Sequence, residues 1–207
     1  MSGLIGRKLG MSSVFDNQGE QIPVTVIQAG PCKVISIKTK EKDGYEALQL
    51  GFGERKEKNI SKPGLGQFKK NNFSPSLRLR EFKFASISEF KIGDEVKVDL
   101  FKEGEIIKVS AKSKGKGFQG VMRRHGFGGV GGTTHGQSDR LRAPGSIGAS
   151  SYPSRVFKGQ RMAGRMGYRS VTISNLKVIK IMPEENIILV KGAVPGAINS
   201  IVELRKK

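Results

Sequence analysis

The feature that most constrains the fold of this chain is a long segment with many glycines and almost no acids. Residues 106–183 contain 15 lysines and arginines and a single acid, Asp139, so this window carries +14 of the chain's net charge of +19. Half of the 28 glycines lie between residues 112 and 169. Because glycine loses the most backbone entropy on folding, a stretch this short of apolar residues cannot build its own core. We therefore predict that residues 113–169 form an extended loop, which becomes ordered against a partner.

The sequence on either side of this segment is typical of short antiparallel strands. The runs are β-branched and partly alternating, and turn-forming groups such as Lys42-Asp43-Gly44 separate them. The pattern predicts strands at 23–29, 33–40, 45–52, 96–101, 105–111, 171–182, 187–192 and 200–204. Strands of this length and spacing favour a mainly β fold, an antiparallel barrel or sandwich. Residues 1–112 and 170–207 are predicted to form this β core.

A second basic stretch lies within the first half of the chain. Residues 54–80 contain eight bases and two acids, with two prolines, two glycines and little apolar content. We predict that they form a smaller basic loop insertion in the core, facing the same partner. The eight bases are Arg55, Lys56, Lys58, Lys62, Lys69, Lys70, Arg78 and Arg80.

The charge of the chain indicates a polyanionic partner. A net charge of +19 and a pI of about 10.2 favour nucleic acid, with an anionic membrane surface as the alternative. A membrane is disfavoured, since no apolar run reaches the roughly 18–20 residues of a spanning helix. The N-terminus lacks the pattern of a signal peptide. The single Cys32 suits a reducing compartment, so we expect a cytoplasmic protein.

An enzyme is the alternative that the glycines raise, because the pattern G-x-G-x-x-G occurs twice between residues 115 and 131. A dinucleotide site requires a long helix after this pattern, and here glycine interrupts the chain within six residues. Two histidines and one cysteine make a zinc site implausible, and carboxylate pairs are excluded from a segment with one acid. We expect no catalytic residue, cofactor, metal or small-molecule substrate.

The composition of the segment suits binding to folded RNA. Glycine lets the backbone approach phosphate and ribose, Lys and Arg neutralise phosphates, and interleaved rings can stack on unpaired bases. No helix suited to a DNA major groove is evident. The predicted RNA-binding residues are Lys112, Lys114, Lys116, Phe118, Arg123, Arg124, His125, His135, Arg140, Arg142, Arg155, Lys158, Arg161, Arg165 and Arg169. For Phe118, packing at the base of the loop is an equal alternative.

Eight ordered motifs spread over the whole chain resemble the bacterial-sized form of the universal large ribosomal subunit protein three (L-three) family. In order they are GRKLGM from residue 6, IPVTV from 22, SKGKGF from 113, THG from 134, PGSIG from 144, VFKG from 156, MAG from 162 and VKGAVPG from 190.

The resemblance implies a β-barrel like that of translation factors, with a long loop that enters the large-subunit rRNA. It further implies binding near the 3′ end of that rRNA, a role in early subunit assembly, and contacts with neighbouring large-subunit proteins. The tip of the loop would brace rRNA near the peptidyl transferase centre, where the RNA performs the chemistry. The tip residues are Gly145, Ser146, Ile147, Gly148, Ala149 and Ser150.

The chain departs from its relatives at two positions of the loop. Ala149 stands where some bacterial relatives carry a glutamine that is methylated, so this modification is not possible here. His125 replaces a tryptophan found in some relatives, and imidazole stacks over a smaller area. Two alternatives to a ribosomal role stay open at this point: an RNA chaperone that acts outside the ribosome, and a nucleotide-dependent enzyme.

Overall fold

The chain folds into two compact units in a computed structural model that describes residues 2–87, 89–131, 136 and 141–207. The first unit comprises residues 1–113 and 170–207, and the second comprises residues 114–169. The strands are β1 Gly3–Phe15, β2 Gln21–Ala29, β3 Cys32–Lys38, β4 Ala47–Glu54, β5 Ser76–Phe82, β6 Glu95–Val96, β7 Ile106–Lys112, β8 Phe118–Gln119, β9 Gly164–Arg165, β10 Ser170–Met182, β11 Ile187–Lys191 and β12 Ile201–Lys206. The helices are α1 Lys40–Asp43, α2 Lys62–Lys69 and α3 Val121–His125, with 3-10 turns at Glu57–Asn59 and Val98–Leu100.

A closed antiparallel barrel of six strands forms the centre of the first unit, in the order β1-β12-β7-β10-β11-β2. Alternate residues of these strands point inward, as the period of a β-strand dictates. The side chains of Leu4, Ile27, Val109, Val178 and Leu204 are fully buried in this core. The prediction of a mainly β fold with an antiparallel barrel is confirmed.

The first strand of the barrel, β1, was not predicted, because glycine is depleted in strands. Two of its glycines are required by close packing. A Cβ atom on Gly3 would lie 2.2 Å from the carbonyl oxygen of Leu204, and one on Gly6 would lie 2.5 Å from that of Gln28. These glycines therefore let neighbouring strands approach β1, as glycine does where another backbone comes close.

The predicted strands near 33–40 and 45–52 lie outside the barrel, in contrast to the expectation of one barrel core. They form a separate antiparallel sheet of four strands in the order β5-β4-β3-β6. The predicted strand at 96–101 is also wrong over most of its length, since only Glu95–Val96 is a strand and a 3-10 turn follows. Val98 is fully buried within this turn, so its apolar pattern reflects packing and not an extended chain.

Residues 54–80 contain regular structure where we expected a loop. Helix α2 begins with a proline in its first turn, where the missing N–H costs nothing. Phe68 anchors this helix and is 3% exposed, and strand β5 pairs with β4 and ends at the buried Phe82. Residues 54–80 therefore form regular structure with few apolar residues of their own, because the sheet against which they pair supplies most of the core.

The second unit has little regular structure. Strands β8 and β9 form a two-stranded sheet, and α3 follows β8 after Gly120. Among the described residues of this unit, Val121 is the only buried hydrophobic side chain. In the part of the chain that the structure describes, no helix is both long and apolar enough to cross a membrane.

Candidate nucleic-acid interface

A short backbone ladder closes the base of the second unit. The Lys116 N–H donates to the Met166 carbonyl at 3.0 Å, and the Met166 N–H donates to the Gly117 carbonyl at 2.9 Å. Next to these bonds, Phe118 of β8 pairs with Arg165 of β9. Phe118 is 77% exposed, so its side chain is open to solvent among the described residues, and both its predicted roles, RNA binding and packing at the base of the loop, stay predictions. The ladder thus presents a ring and a cation side by side.

Helix α3 places two adjacent arginines in different surroundings. Arg124 Nη1 donates to the Met162 carbonyl at 2.6 Å, and His125 Nε2 lies 3.1 Å from the same oxygen. Gly164 lies against the Arg124 guanidinium, since a Cβ atom there would be 2.6 Å from Nη1. Arg123 is exposed, and its one described contact is a 3.4 Å hydrogen bond to Gln119. Arg124 and His125 therefore have a structural contact within the unit, while Arg123 faces solvent.

Two arginines lie over exposed aromatic rings. The Arg155 guanidinium is 5.7 Å from the centre of the Phe157 ring, and that of Arg165 is 5.5 Å from the Tyr168 ring. Both distances are in the range of cation–π contacts. The two rings are 58% and 59% exposed, which leaves area free for a base to stack. These pairs were not predicted, although the spacings of two and three residues are visible in the sequence.

The predicted tip, residues 145–150, is exposed at every position. The Ser146 hydroxyl donates to the Gly148 carbonyl at 2.9 Å, and Gly145 has a φ of +78° that glycine adopts without strain. Ile147 and Tyr152 are 45% and 89% exposed. The segment therefore presents apolar and aromatic surface that nothing among the described residues covers.

The electrostatics of the two units differ. Carboxylates of the first unit form ion pairs, such as Glu203 with Arg80 and Arg205. The described residues of the second unit include no carboxylate, so no acid among them offsets their positive charge. The exposed cations are Lys114, Lys116, Arg123, Arg142, Arg155, Lys158, Arg161, Arg165 and Arg169. An open cationic surface with exposed rings can bind phosphates and bases together.

Three of the predicted residues do not belong to the described part of the second unit. Lys112 is exposed at the end of β7, paired with Ser170 in the first unit. His135 and Arg140 lie outside the described residues. No group of three or more His, Cys, Asp or Glu side chains that could hold a metal occurs among the described residues.

Comparison with known proteins identifies similar sequences over the whole length. A family model described as "Ribosomal protein L3" matches residues 79–185. A relative named "Large ribosomal subunit protein uL3" from Chloroherpeton thalassium is 57% identical over 205 residues, which cover 99% of this chain and 98% of the relative. Relatives of the same name are 56% identical in Chlorobaculum parvum, with the same coverage, and 54% identical in Brachyspira hyodysenteriae, over 99% of this chain and 93% of the relative.

Proposed function

The chain belongs to the ribosomal protein L3 family, and from this membership we propose that it is a structural protein of the large ribosomal subunit. It works in the cytoplasm as part of the ribosome and binds large-subunit rRNA through residues 114–169, here called the cationic arm. Its role is to brace the rRNA, and the rRNA itself catalyses peptidyl transfer. Its partners are the rRNA and neighbouring large-subunit proteins.

The observation that carries this proposal is the exposed cationic surface of the arm, whose described residues include no carboxylate. With one buried hydrophobic side chain among its described residues, the arm lacks the core that would hold it in place alone. Its positive charges repel one another until a polyanion neutralises them. Binding to rRNA supplies both the missing contacts and the missing negative charge.

The finer parts of the proposal concern position and timing. The tip at residues 145–150 reaches towards the peptidyl transferase centre, and the protein binds near the 3′ end of the rRNA early in assembly. The exposed Ile147 and the open turn held by Ser146 suit insertion into a narrow RNA crevice. An exposed apolar side chain is stabilised when such a crevice removes it from water.

The test measures how binding to purified large-subunit rRNA depends on salt concentration. It compares three full-length proteins: the wild type, a variant of the arm and a control variant of the first unit. If about six arm cations meet phosphates, the plot of log affinity against log salt has a slope of roughly −4 to −5. In the arm variant, glutamine replaces six exposed cations: Lys114, Lys116, Arg142, Arg155, Lys158 and Arg161. We expect this variant to bind more weakly and with a slope of smaller magnitude, by roughly 0.7–0.9 for each phosphate contact that is lost.

The matched control removes the same charge from the first unit. Glutamine replaces six exposed lysines there: Lys83, Lys91, Lys97, Lys102, Lys177 and Lys180. This control is expected to keep most of the original slope. Equal loss in the two variants would show that net charge alone drives binding and would contradict a specific arm surface. Release of the wild-type chain from large subunits at high salt would favour the RNA chaperone instead.

A further inference from the structure

The hairpin formed by β1 and β2 extends beyond the strands that flank it in the barrel. Strand β12 pairs with β1 only from Gly3 to Arg7, and β11 pairs with β2 only from Val24 to Gln28. Beyond Arg7 and the bulge that follows it, residues 10–15 of β1 pair with residues 21–26 of β2 and with no other strand among the described residues. We call residues 9–23 the distal hairpin. An isolated two-stranded hairpin is marginally stable in water, so this element is suited to being covered.

The outer edge of β1 in the distal hairpin has backbone groups available for pairing. In an antiparallel pair, every second residue directs its N–H and C=O groups to the partner strand. The backbone N–H of Asp16 donates across the hairpin to the Glu20 carbonyl at 2.9 Å. This bond shows which residues of β1 direct their backbone groups towards β2. The backbone groups of Met11, Ser13 and Phe15 therefore point away from β2. They form an open strand edge three pairing positions long.

The open edge lies on the side of β1 that is paired with β12 and with residues 199–200 nearer the start of the strand. The backbone N–H of Asn199 donates to the Lys8 carbonyl at 2.7 Å, and the backbone N–H of Lys8 donates to the Ser200 carbonyl at 3.0 Å. Both hydrogen bonds lie on the same side of β1. Ile198, next to this contact, is 66% exposed. A strand added to this edge would thus be the neighbour of β1 on the same side as β12, at residues beyond the contact with Asn199. The geometry is that of strand addition to a sheet edge.

The side chains along the edge are neutral, and two of them are large and apolar. Met11 is 55% exposed and Phe15 is 69% exposed, and both lie on one face of the hairpin with Ser13 between them. Natural edge strands are usually protected by lysine, proline or a covering element. None of the edge residues 9–15 is a lysine or a proline, which indicates that a covering element is present in the assembly.

The charge of the hairpin distinguishes its partner from that of the cationic arm. Residues 9–32 contain no lysine or arginine, and their two acids, Asp16 and Glu20, are exposed at the hairpin turn. In a chain of net charge +19, this is a surface that repels phosphates. A protein segment with basic side chains complements the turn, and its apolar side chains complement Met11 and Phe15.

We propose that the open edge at Met11, Ser13 and Phe15 binds an extended, basic segment of a neighbouring large-subunit protein, which adds a strand to β1. This proposal rests on the ribosomal role proposed above. It assigns the two surfaces of the chain to different partners, with RNA at the cationic arm and protein at the distal hairpin.

The test uses the full-length chain assembled into large subunits, with the photoreactive residue p-benzoylphenylalanine in place of Phe15. After irradiation we expect an adduct that resists ribonuclease, and its peptide should come from a lysine- and arginine-rich segment of another subunit protein. The same photoreactive residue in place of Phe157, which is 58% exposed in the arm, serves as the comparison. There the proposed function predicts an adduct that ribonuclease digests.

Hydrogen exchange gives an independent measurement on the unmodified protein. The amides of Met11, Ser13 and Phe15 should exchange at least about tenfold more slowly in the subunit than in the free chain, because strand addition gives them acceptors. The amide of Gln18, at the exposed turn, should change little.

Three results would overturn the proposal: a ribonuclease-sensitive adduct at Phe15, an adduct to a second copy of this chain, or edge amides that exchange at the same rate in both states. If Phe157 still forms an RNA adduct in that case, only the strand-addition proposal fails. If Phe157 forms no RNA adduct, the proposed function of the arm fails separately.

Discussion

The guanidinium of Arg124 donates to the backbone carbonyl of Met162 at 2.6 Å, across 38 residues of the cationic arm. This bond joins α3 to the segment that leads into β9. Among the described residues, the neighbouring Arg123 makes one hydrogen bond, of 3.4 Å, to the Gln119 side chain four residues before it. Two adjacent arginines that look equivalent in the sequence therefore differ in role, one within the arm and one on its surface.

Replacing Arg124 with glutamine should loosen the base of the arm in the free protein. Without the guanidinium, the Met162 carbonyl loses a charge-assisted hydrogen bond, which is typically stronger than a neutral one. The amides of Lys116 and Met166, whose hydrogen bonds lie next to the β8–β9 pair, are expected to exchange faster. Hydrogen exchange monitored by NMR measures this directly.

The matched variant is Arg123→Gln. It should leave the exchange of the Lys116 and Met166 amides unchanged, and it should lower the magnitude of the rRNA salt slope by about one if Arg123 meets a phosphate. Equal effects of the two variants on the ladder amides would show that Arg124 has no structural role of its own.

The sequence was sufficient to predict most strands of the barrel, because their alternating apolar residues report directly on burial. It was insufficient for β1, where Gly3 and Gly6 are present for close approach of other strands, a reason visible only in three dimensions. It also could not separate the sheet of β3 and β4 from the barrel. Strands of both sheets have the same local pattern, and only long-range pairing distinguishes them.

The cationic character of residues 106–183 was evident from the sequence, since charge and glycine content need no structure to be counted. The sequence did not show that these cations make different kinds of contact. Arg124 donates to the Met162 carbonyl because the fold brings these distant segments together, and Arg155 and Arg165 lie over nearby rings because of the local backbone conformation. Which cation contacts which group depends on that folding.

Gly167→Ala should disrupt the base of the arm through two effects at once. Gly167 has a φ of +75°, and a Cβ atom on it would lie 2.1 Å from the Lys114 carbonyl oxygen. Both backbone strain and a clash with backbone would result, so the Lys116–Met166 ladder is expected to open. Amide exchange at these two residues in the free protein is the measurement.

Two further alanine variants separate strain from clash. Gly159 has a φ of +84° with open space around its Cβ position, so alanine there should cost only about 1 kcal/mol of local strain. Gly128 is equally open and has no positive φ, so alanine there should be nearly neutral. If Gly159→Ala and Gly167→Ala had equal effects on the ladder, the clash with Lys114 would play no part.

Lys8→Met should destabilise the barrel although it removes a charge from a very basic protein. Lys8 is 7% exposed, and its Nζ donates to the carbonyls of Val194 at 2.8 Å and Gly196 at 3.4 Å. Methionine fills a similar volume but leaves these acceptors without their donor, which typically costs about 1–3 kcal/mol. Denaturant unfolding of the full chain measures the loss.

The control for Lys8 is Lys33→Met at an exposed position, where the only described ion pair is with Glu95 at 3.9 Å. Exposed pairs contribute little, so unfolding is expected to shift by less than about 1 kcal/mol. A Lys8 variant as stable as the Lys33 variant would show that water replaces the buried ammonium at no cost.

Cys32 should make the stability of the first unit fall at alkaline pH. Burial raises the pKa of its thiol from 9.0 to about 12, and its Sγ lies 3.3 Å from the Ile5 carbonyl that accepts its hydrogen bond. Between pH 9 and 12 the unfolded chain releases the thiol proton while the folded chain keeps it. Since the unfolded state then binds fewer protons, stability decreases as pH rises through this range.

Other groups also titrate at alkaline pH, so the measurement is the difference in unfolding free energy between the wild type and Cys32→Ala. This difference should be constant below pH 9 and should then change in favour of the variant, by up to about 1.4 kcal/mol per pH unit. Alkylation by iodoacetamide at pH 8 supplies a second readout, because only the thiolate reacts. The folded protein should react far more slowly than the denatured one. A pH-independent difference, together with fast alkylation of the folded chain, would show that the thiol is open to solvent.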